Sequence, residues 1–235
     1  MPRSAISSSS RATTDRSRPN KEGQINIIGT HLIRASIALA SLLLCASALA
    51  QGWEGKWYTS ERSGCRFWDP APRENERIEW SGRCLNGLAE GNGVLQWYLG
   101  DSPSGRYVGE ARAGKLEGRG VLRYPDSGRY EGDFAESEPN GRGVYVRADG
   151  ARYEGELRRG KFHGRGTLTS LDGEAYSGDW REGEMDGQGI MTFPSGERYE
   201  GEVRGSKING YGTWYRQDGS RSSGIWSNGR LLRPD

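Results

Sequence analysis

From about Ile78 to the end of the chain, apolar and polar residues alternate one by one in short runs, and the runs recur. In Tyr130-Glu131-Gly132-Asp133-Phe134, the residues Tyr130, Gly132 and Phe134 fall on one side and Glu131 and Asp133 on the other. A period of two is the signature of a β-strand with one buried face. The second run of the same unit puts Gly143 and Tyr145 on the first side. Turn-forming residues separate the runs: Gly160-Lys161-Phe162-His163-Gly164 within a unit, and Asp149-Gly150 or Pro194-Ser195-Gly196 between units. Each unit therefore reads as a β-hairpin. After the first 50 residues no stretch carries a helical period.

The runs keep register along the chain. Tyr107, Tyr130, Tyr153, Tyr176 and Tyr199 are 23 residues apart, and each is followed two residues later by a glycine. A further pair of glycines stands 11 and 13 residues after each aromatic, as Gly164 and Gly166 follow Tyr153. Trp80 with Gly82 opens the series and Gly224 closes it. A fixed period of this size marks a repeat architecture, in which one supersecondary unit stacks on copies of itself. These residues resemble the MORN (membrane occupation and recognition nexus) repeat, whose pattern is Tyr-x-Gly-x-Trp, then Gly-Lys-x-x-Gly-x-Gly, then Asp-Gly. The resemblance covers about Ile78 to Gly229 and implies an all-β fold, a single-layer antiparallel β-meander of six hairpins and a terminal half unit, twisted and elongated. It also implies a scaffold or interaction module, dimeric in some members, with a proposed link to membranes.

One face of such a sheet is aromatic. The tyrosines lie over glycines that have no side chain and let a ring approach the backbone. Four residues after the tyrosines come Ala111, Phe134, Leu157, Trp180 and Val203; fifteen after come Leu122, Tyr145, Leu168, Met191 and Trp214. This face is the only core the sheet has, and it is also a candidate binding groove, formed by Tyr107, Tyr130, Phe134, Tyr153, Tyr176, Trp180, Tyr199 and Trp214. Three irregularities stand out. Trp80 and Tyr107 are 27 residues apart, which predicts a longer loop carrying Pro103. Glu136-Ser137-Glu138-Pro139 replaces the usual Gly-Lys turn, and Ser222 stands where the last aromatic is expected, which suggests a C-terminal cap within the 77–235 array.

The segment before the array divides in two. Residues 1–50 read as a leader: Ser/Arg-rich to Gly29, then Arg34 before the apolar run Ala35 to Leu49, with Ala48-Leu49-Ala50 at its end. A basic flank, a short apolar core and small residues before the break predict a signal peptide cleaved after Ala50, and an exported, periplasmic or secreted bacterial protein. A membrane anchor would need ~20 apolar residues, and Cys45 follows Leu44 where a lipoprotein signal has a small residue. More than 30 residues precede the apolar run, which fits translation starting near Ile27 to Leu32 or a bipartite organelle leader. Residues 51–76, with Trp53, Trp57, Tyr58, Phe67, Trp68, Pro70 and Pro72, read as an irregular aromatic cap on the first repeat.

After cleavage two cysteines remain, Cys65 and Cys84. In an exported chain they are expected to form one disulfide between cap and array, the alternative being two free thiols. Charge narrows the partners. Six of the 33 basic and two of the 31 acidic residues lie in the first 50, so the remainder holds 27 basic and 29 acidic residues. That balance lacks the basic footprint of a nucleic-acid binder or an anionic-membrane binder.

Catalytic material is sparse. The only histidine after the leader is His163, read as an exposed turn residue. There is no nucleophile elbow, no phosphate loop and no metal-ligand spacing. The recurrent carboxylates, such as Glu131, Asp133, Glu154 and Glu156, read as a solvated face opposite the aromatics. The expectation is a non-catalytic scaffold without cofactor or metal, binding a protein partner or itself. The alternative is a binder of cell-wall glycan or membrane lipid through the aromatic groove.

Overall fold

The computed structural model describes residues 55–235; the leader and its expected cleavage after Ala50 lie outside the described residues. Seventeen strands form one open sheet. They are β1 (Lys56–Thr59), β2 (Arg66–Asp69), β3 (Glu76–Trp80), β4 (Arg83–Leu85), β5 (Leu88–Leu99), β6 (Ser102–Arg112), β7 (Lys115–Arg123), β8 (Arg129–Ala135) and β9 (Glu138–Val146). They continue with β10 (Arg152–Arg158), β11 (Lys161–Thr169), β12 (Ala175–Arg181), β13 (Glu184–Thr192), β14 (Arg198–Arg204), β15 (Lys207–Tyr215), β16 (Arg221–Ser227) and β17 (Arg230–Pro234). From β5 to β17 each strand pairs antiparallel with its neighbours in sequence, so the array is the expected meander.

The turn inside each unit is tighter than its sequence suggests. In the Tyr153 unit it is Arg159-Gly160, not Gly160 to Gly164, and both residues have positive φ, 50° and 71°. Ala113-Gly114 and Glu182-Gly183 repeat this geometry. A two-residue turn with positive φ at both positions has the twist that antiparallel strands need. Its first residue is often not glycine here, which hides it from a turn reading based on glycine and proline. Phe162 thereby falls in β11, where it is buried, and Leu116, Met185 and Ile208 are buried at the equivalent places. The long loop expected before Tyr107 is also absent: β5 and β6 extend through Pro103 and close at Gly100-Asp101.

Each unit also contains a bulge. Gly155 pairs with Gly166, but Glu156 pairs with His163, so β11 carries two residues, Gly164 and Arg165, that β10 does not match. Such an insertion bends the strand. Gly164 takes a φ of 58° there, a left-handed conformation that most side chains resist. The Asp133 carboxylate accepts the N–H of Arg142 at 3.0 Å and the Asp179 carboxylate that of Gln188 at 2.8 Å. In these two units the carboxylate three residues after the tyrosine thus holds the bulge together and is more than part of a solvated face.

The cap is regular rather than irregular. β1 and β2 form an antiparallel hairpin, and Cys65 just before β2 is joined by a disulfide to Cys84 of β4. Phe67 lies against Trp80 with ring centroids 6.2 Å apart. The Asp69 carboxylate accepts the indole N–H of Trp97 at 2.8 Å. Burial raises the pKa of Asp69, as expected for a carboxylate with so little water around it.

Candidate functional site

The eight aromatic positions read as a candidate groove are brought together, but as the core. Their exposures lie between 0 and 6 %. Tyr153 shows why. Its ring stacks on Phe162 at 3.7 Å and meets Trp180 edge-on at 5.4 Å, and its hydroxyl donates to the carbonyl of Glu156 at 2.8 Å, inside the bulge. Tyr107, Tyr130, Tyr176 and Tyr199 make the same bond to the carbonyls of Glu110, Asp133, Asp179 and Glu202 at 2.9 to 3.0 Å. In the opening unit the indole N–H of Trp80 takes the role, donating to Arg83 at 3.1 Å. Phe162, expected in a turn, supplies the second wall of the ring cage, and what stays open on this face is a small apolar cleft lined by Leu168, Tyr176, Met185, Met191 and Phe193.

Ionisation of these phenols is opposed by burial first and by neighbouring carboxylates second. Burial and then Glu156 push Tyr153 far above its ordinary value, and burial and then Glu202 push Tyr199 up to about 12. A phenol whose folded pKa is raised lends stability that is complete below its unfolded value and is lost as pH rises through the folded one. Alkaline titration, followed by tyrosinate absorbance and circular dichroism together, is therefore expected to show the core tyrosines ionising only as the sheet unfolds, around pH 12 and above. Ionisation of every tyrosine near pH ~10 with the dichroism unchanged would contradict this packing.

The larger open surface is on the opposite face. A trough of about 650 Å³ runs there between Val108 and Arg165. Its floor includes Gly120, Gly132, Gly143 and Gly155. One wall is a cross-strand ladder, Val108 to Val121 to Glu131 to Val144 to Glu154. The other carries Arg119, Arg142, Glu156 and Arg165. Arg119 and Arg165 are ion-paired to Asp133 and Asp179 at 3.4 and 2.8 Å, whereas Arg142 is exposed and has no ion pair among the described residues. The arrangement offers valine contacts alternating with carboxylates on one side, and guanidinium donors with one carboxylate on the other.

His163 is not the exposed turn residue expected. It lies in β11, and its Nδ1 is buried without a hydrogen-bond partner among the described residues, 3.8 Å from the Glu182 carboxylate. The same carboxylate is bound by Arg158 and Lys161 at 2.7 and 3.2 Å.

The repeat geometry meets its counterpart in the family comparison. The MORN repeat matches at residues 85–102, 107–129, 130–152, 153–174, 176–198 and 199–221. The chain belongs to the MORN-repeat family. MORN repeats are a non-catalytic repeat family associated with protein or membrane binding, and the matched segments follow the hairpins seen here. No curated protein matches the chain. Among solved structures, this MORN-repeat chain is similar to the SAS-4 TCP domain of Drosophila melanogaster in complex with a proline-rich motif of Ana2. The identity is 14 %, over 66 % of this chain and 86 % of that one, with a TM-score of 0.37. It is also similar to the TCP10 domain of Danio rerio CPAP in complex with a STIL peptide, at 13 % identity over 77 % and 98 % of the two chains, with a TM-score of 0.33.

Proposed function

We propose that this MORN-repeat protein is a non-catalytic scaffold that binds a protein partner, or a second copy of itself, in the bacterial periplasm or cell envelope or outside the cell. The observation that carries the binding reading is the trough, because it is the larger open surface beside a face whose rings are packed as core. Support for an oxidising compartment comes from the Cys65–Cys84 disulfide. A glycan or lipid held by the aromatic face would need an open ring, and Trp180 is only 3 % exposed.

The test is photo-crosslinking in cells with the reactive group at Val121 in the trough and a control at Leu171 in an exposed turn between units. A discrete heavier species is expected from Val121 and none from Leu171; a doubled mass would identify the partner as a second copy. Properly produced protein that gives no protein adduct from Val121 would end the proposal.

A further inference from the structure

The cap does something its sequence does not announce. β2 runs across the ends of the hairpins rather than beside them. The N–H of Arg66 donates to the carbonyl of Gly87 at 2.8 Å, and the N–H of Trp68 donates to that of Gly114 at 2.7 Å. Gly87 and Gly114 are the second turn residues of successive units. Alternate residues of one extended strand therefore satisfy the carbonyls of successive turns, as in any β-ladder. At the third turn the hydroxyl of Ser137 donates to the carbonyl of Trp68 at 3.1 Å. The next alternate residue of the strand is Pro70, which has no N–H to give. The ladder stops there.

The turns do not stop. The N–H of the second turn residue donates to a carbonyl of the preceding unit along the whole row: Gly114 to Ala89, Ser137 to Leu116, Gly160 to Pro139, Gly183 to Phe162, Ser206 to Met185 and Gly229 to Ile208, at 2.8 to 3.1 Å. The stacking that presents Gly87 and Gly114 to β2 thus continues to the end of the array. Beyond Pro70, the carbonyls of Gly160, Gly183, Ser206 and Gly229 have no hydrogen-bond partner among the described residues. They form an open row of acceptors with the repeat of the row that β2 already occupies.

The open part also differs in charge. Residues 85–88, 112–115 and 135–138, next to β2, hold Arg112 and Lys115 against Glu136 and Glu138. Residues 158–161, 181–184, 204–207 and 227–230 hold seven basic residues against Glu182 and Glu184. Arg159, Lys207 and Arg230 have no ion pair among the described residues.

We infer that the row of turns from Arg159-Gly160 to Asn228-Gly229 is a second interaction surface, which takes an extended acidic segment of another protein through main-chain pairing of the kind β2 makes with Gly87 and Gly114. This surface is separate from the trough, and the inference stands whether or not the trough binds a protein.

The test uses the full-length protein and a fluorescent octapeptide of alternating glutamate and valine, read by anisotropy. Three companion peptides accompany it: alternating lysine and valine, and two versions N-methylated on one or the other set of alternate amides. The glutamate peptide is expected to bind and the lysine peptide not to. Methylation of one set should weaken binding by about tenfold or more, because several charge-independent hydrogen bonds are lost, while the other set is tolerated. Arg159→Glu with Lys207→Glu should weaken binding by at least about fivefold. Glutamate already occupies the equivalent places at Glu182 and Glu184, so folding is preserved. Val121→Glu in the trough should change nothing. Absence of binding, indifference to both methylation patterns, or loss on Val121→Glu in place of Arg159→Glu would each overturn the inference, and the last would assign the peptide to the trough.

Discussion

Gly166→Val is expected to destabilise the protein by about 3 kcal/mol or more, the upper end of what overpacking costs, because this core cannot yield. A side chain at Gly166 would place its first carbon 2.5 and 2.6 Å from the Cζ and Cε2 atoms of the Tyr153 ring. The ring has nowhere to go. Phe162 stacks on it at 3.7 Å, Trp180 closes its edge, and its hydroxyl is tied to Glu156. Displacing it would also break the hydrogen bond inside the bulge and leave a buried carbonyl unpaired. Because each unit is stabilised by its neighbours, damage in the Tyr153 unit should lower the stability of the whole array rather than of one hairpin. Urea denaturation of Gly166→Val beside Tyr153→Phe measures this. Tyr153→Phe removes only the hydroxyl and should cost about 1 to 2 kcal/mol. A Gly166→Val protein within about 0.5 kcal/mol of the wild type would show that the ring is not caged, and with it the account of the aromatic face would fall.

Replacing Cys65 and Cys84 together by serine should lower stability by about 3 kcal/mol, the chain-entropy value for a loop closed over a sequence separation of 19. The consequence is local as well as global. The disulfide anchors the start of β2, whose amides at Arg66 and Trp68 are bonded to turn carbonyls. In hydrogen exchange the amides of Arg66 and Trp68 should lose protection in the serine variant, while Gly183 and Gly229, bonded within the array, keep theirs. Equal protection in both proteins, with an unchanged denaturation midpoint, would mean that the cap is held by its packing alone.

Much of this architecture was legible because the repeat itself carries the information. A tyrosine followed by glycine two residues on, and by glycines 11 and 13 residues on, states that a ring lies over backbone, and Gly155 and Gly166 bear that out. The disulfide was legible too, from cysteine number and the export reading. The site was less so. Phe162 sits beside glycine, lysine and histidine, a composition that reads as turn, and only the positive φ of Arg159 moves the turn back and releases Phe162 to the core. Asp133 and Asp179 look like solubilising charges because alternation sends them away from the aromatics; their bonds to Arg142 and Gln188 depend on a bulge that no local residue preference declares. The contact of β2 with Gly114 joins residues far apart in the chain and leaves no periodic trace.

The sequence by itself therefore determined the period, the strand faces and the identity of the core tyrosines, since each is written in spacing or in residue type, whereas the Cys65–Cys84 bond was only the expected one of two alternatives until the structure joined them. Tertiary structure alone decided which face is open. Whether an aromatic stripe is a groove or a core depends on how far the bulges bend the strands and how closely the next unit's side chains approach, and both are properties of stacked units rather than of any one of them. The same reason accounts for the row of turns: its carbonyls become a ladder only when successive hairpins stack at a spacing that an extended strand can match.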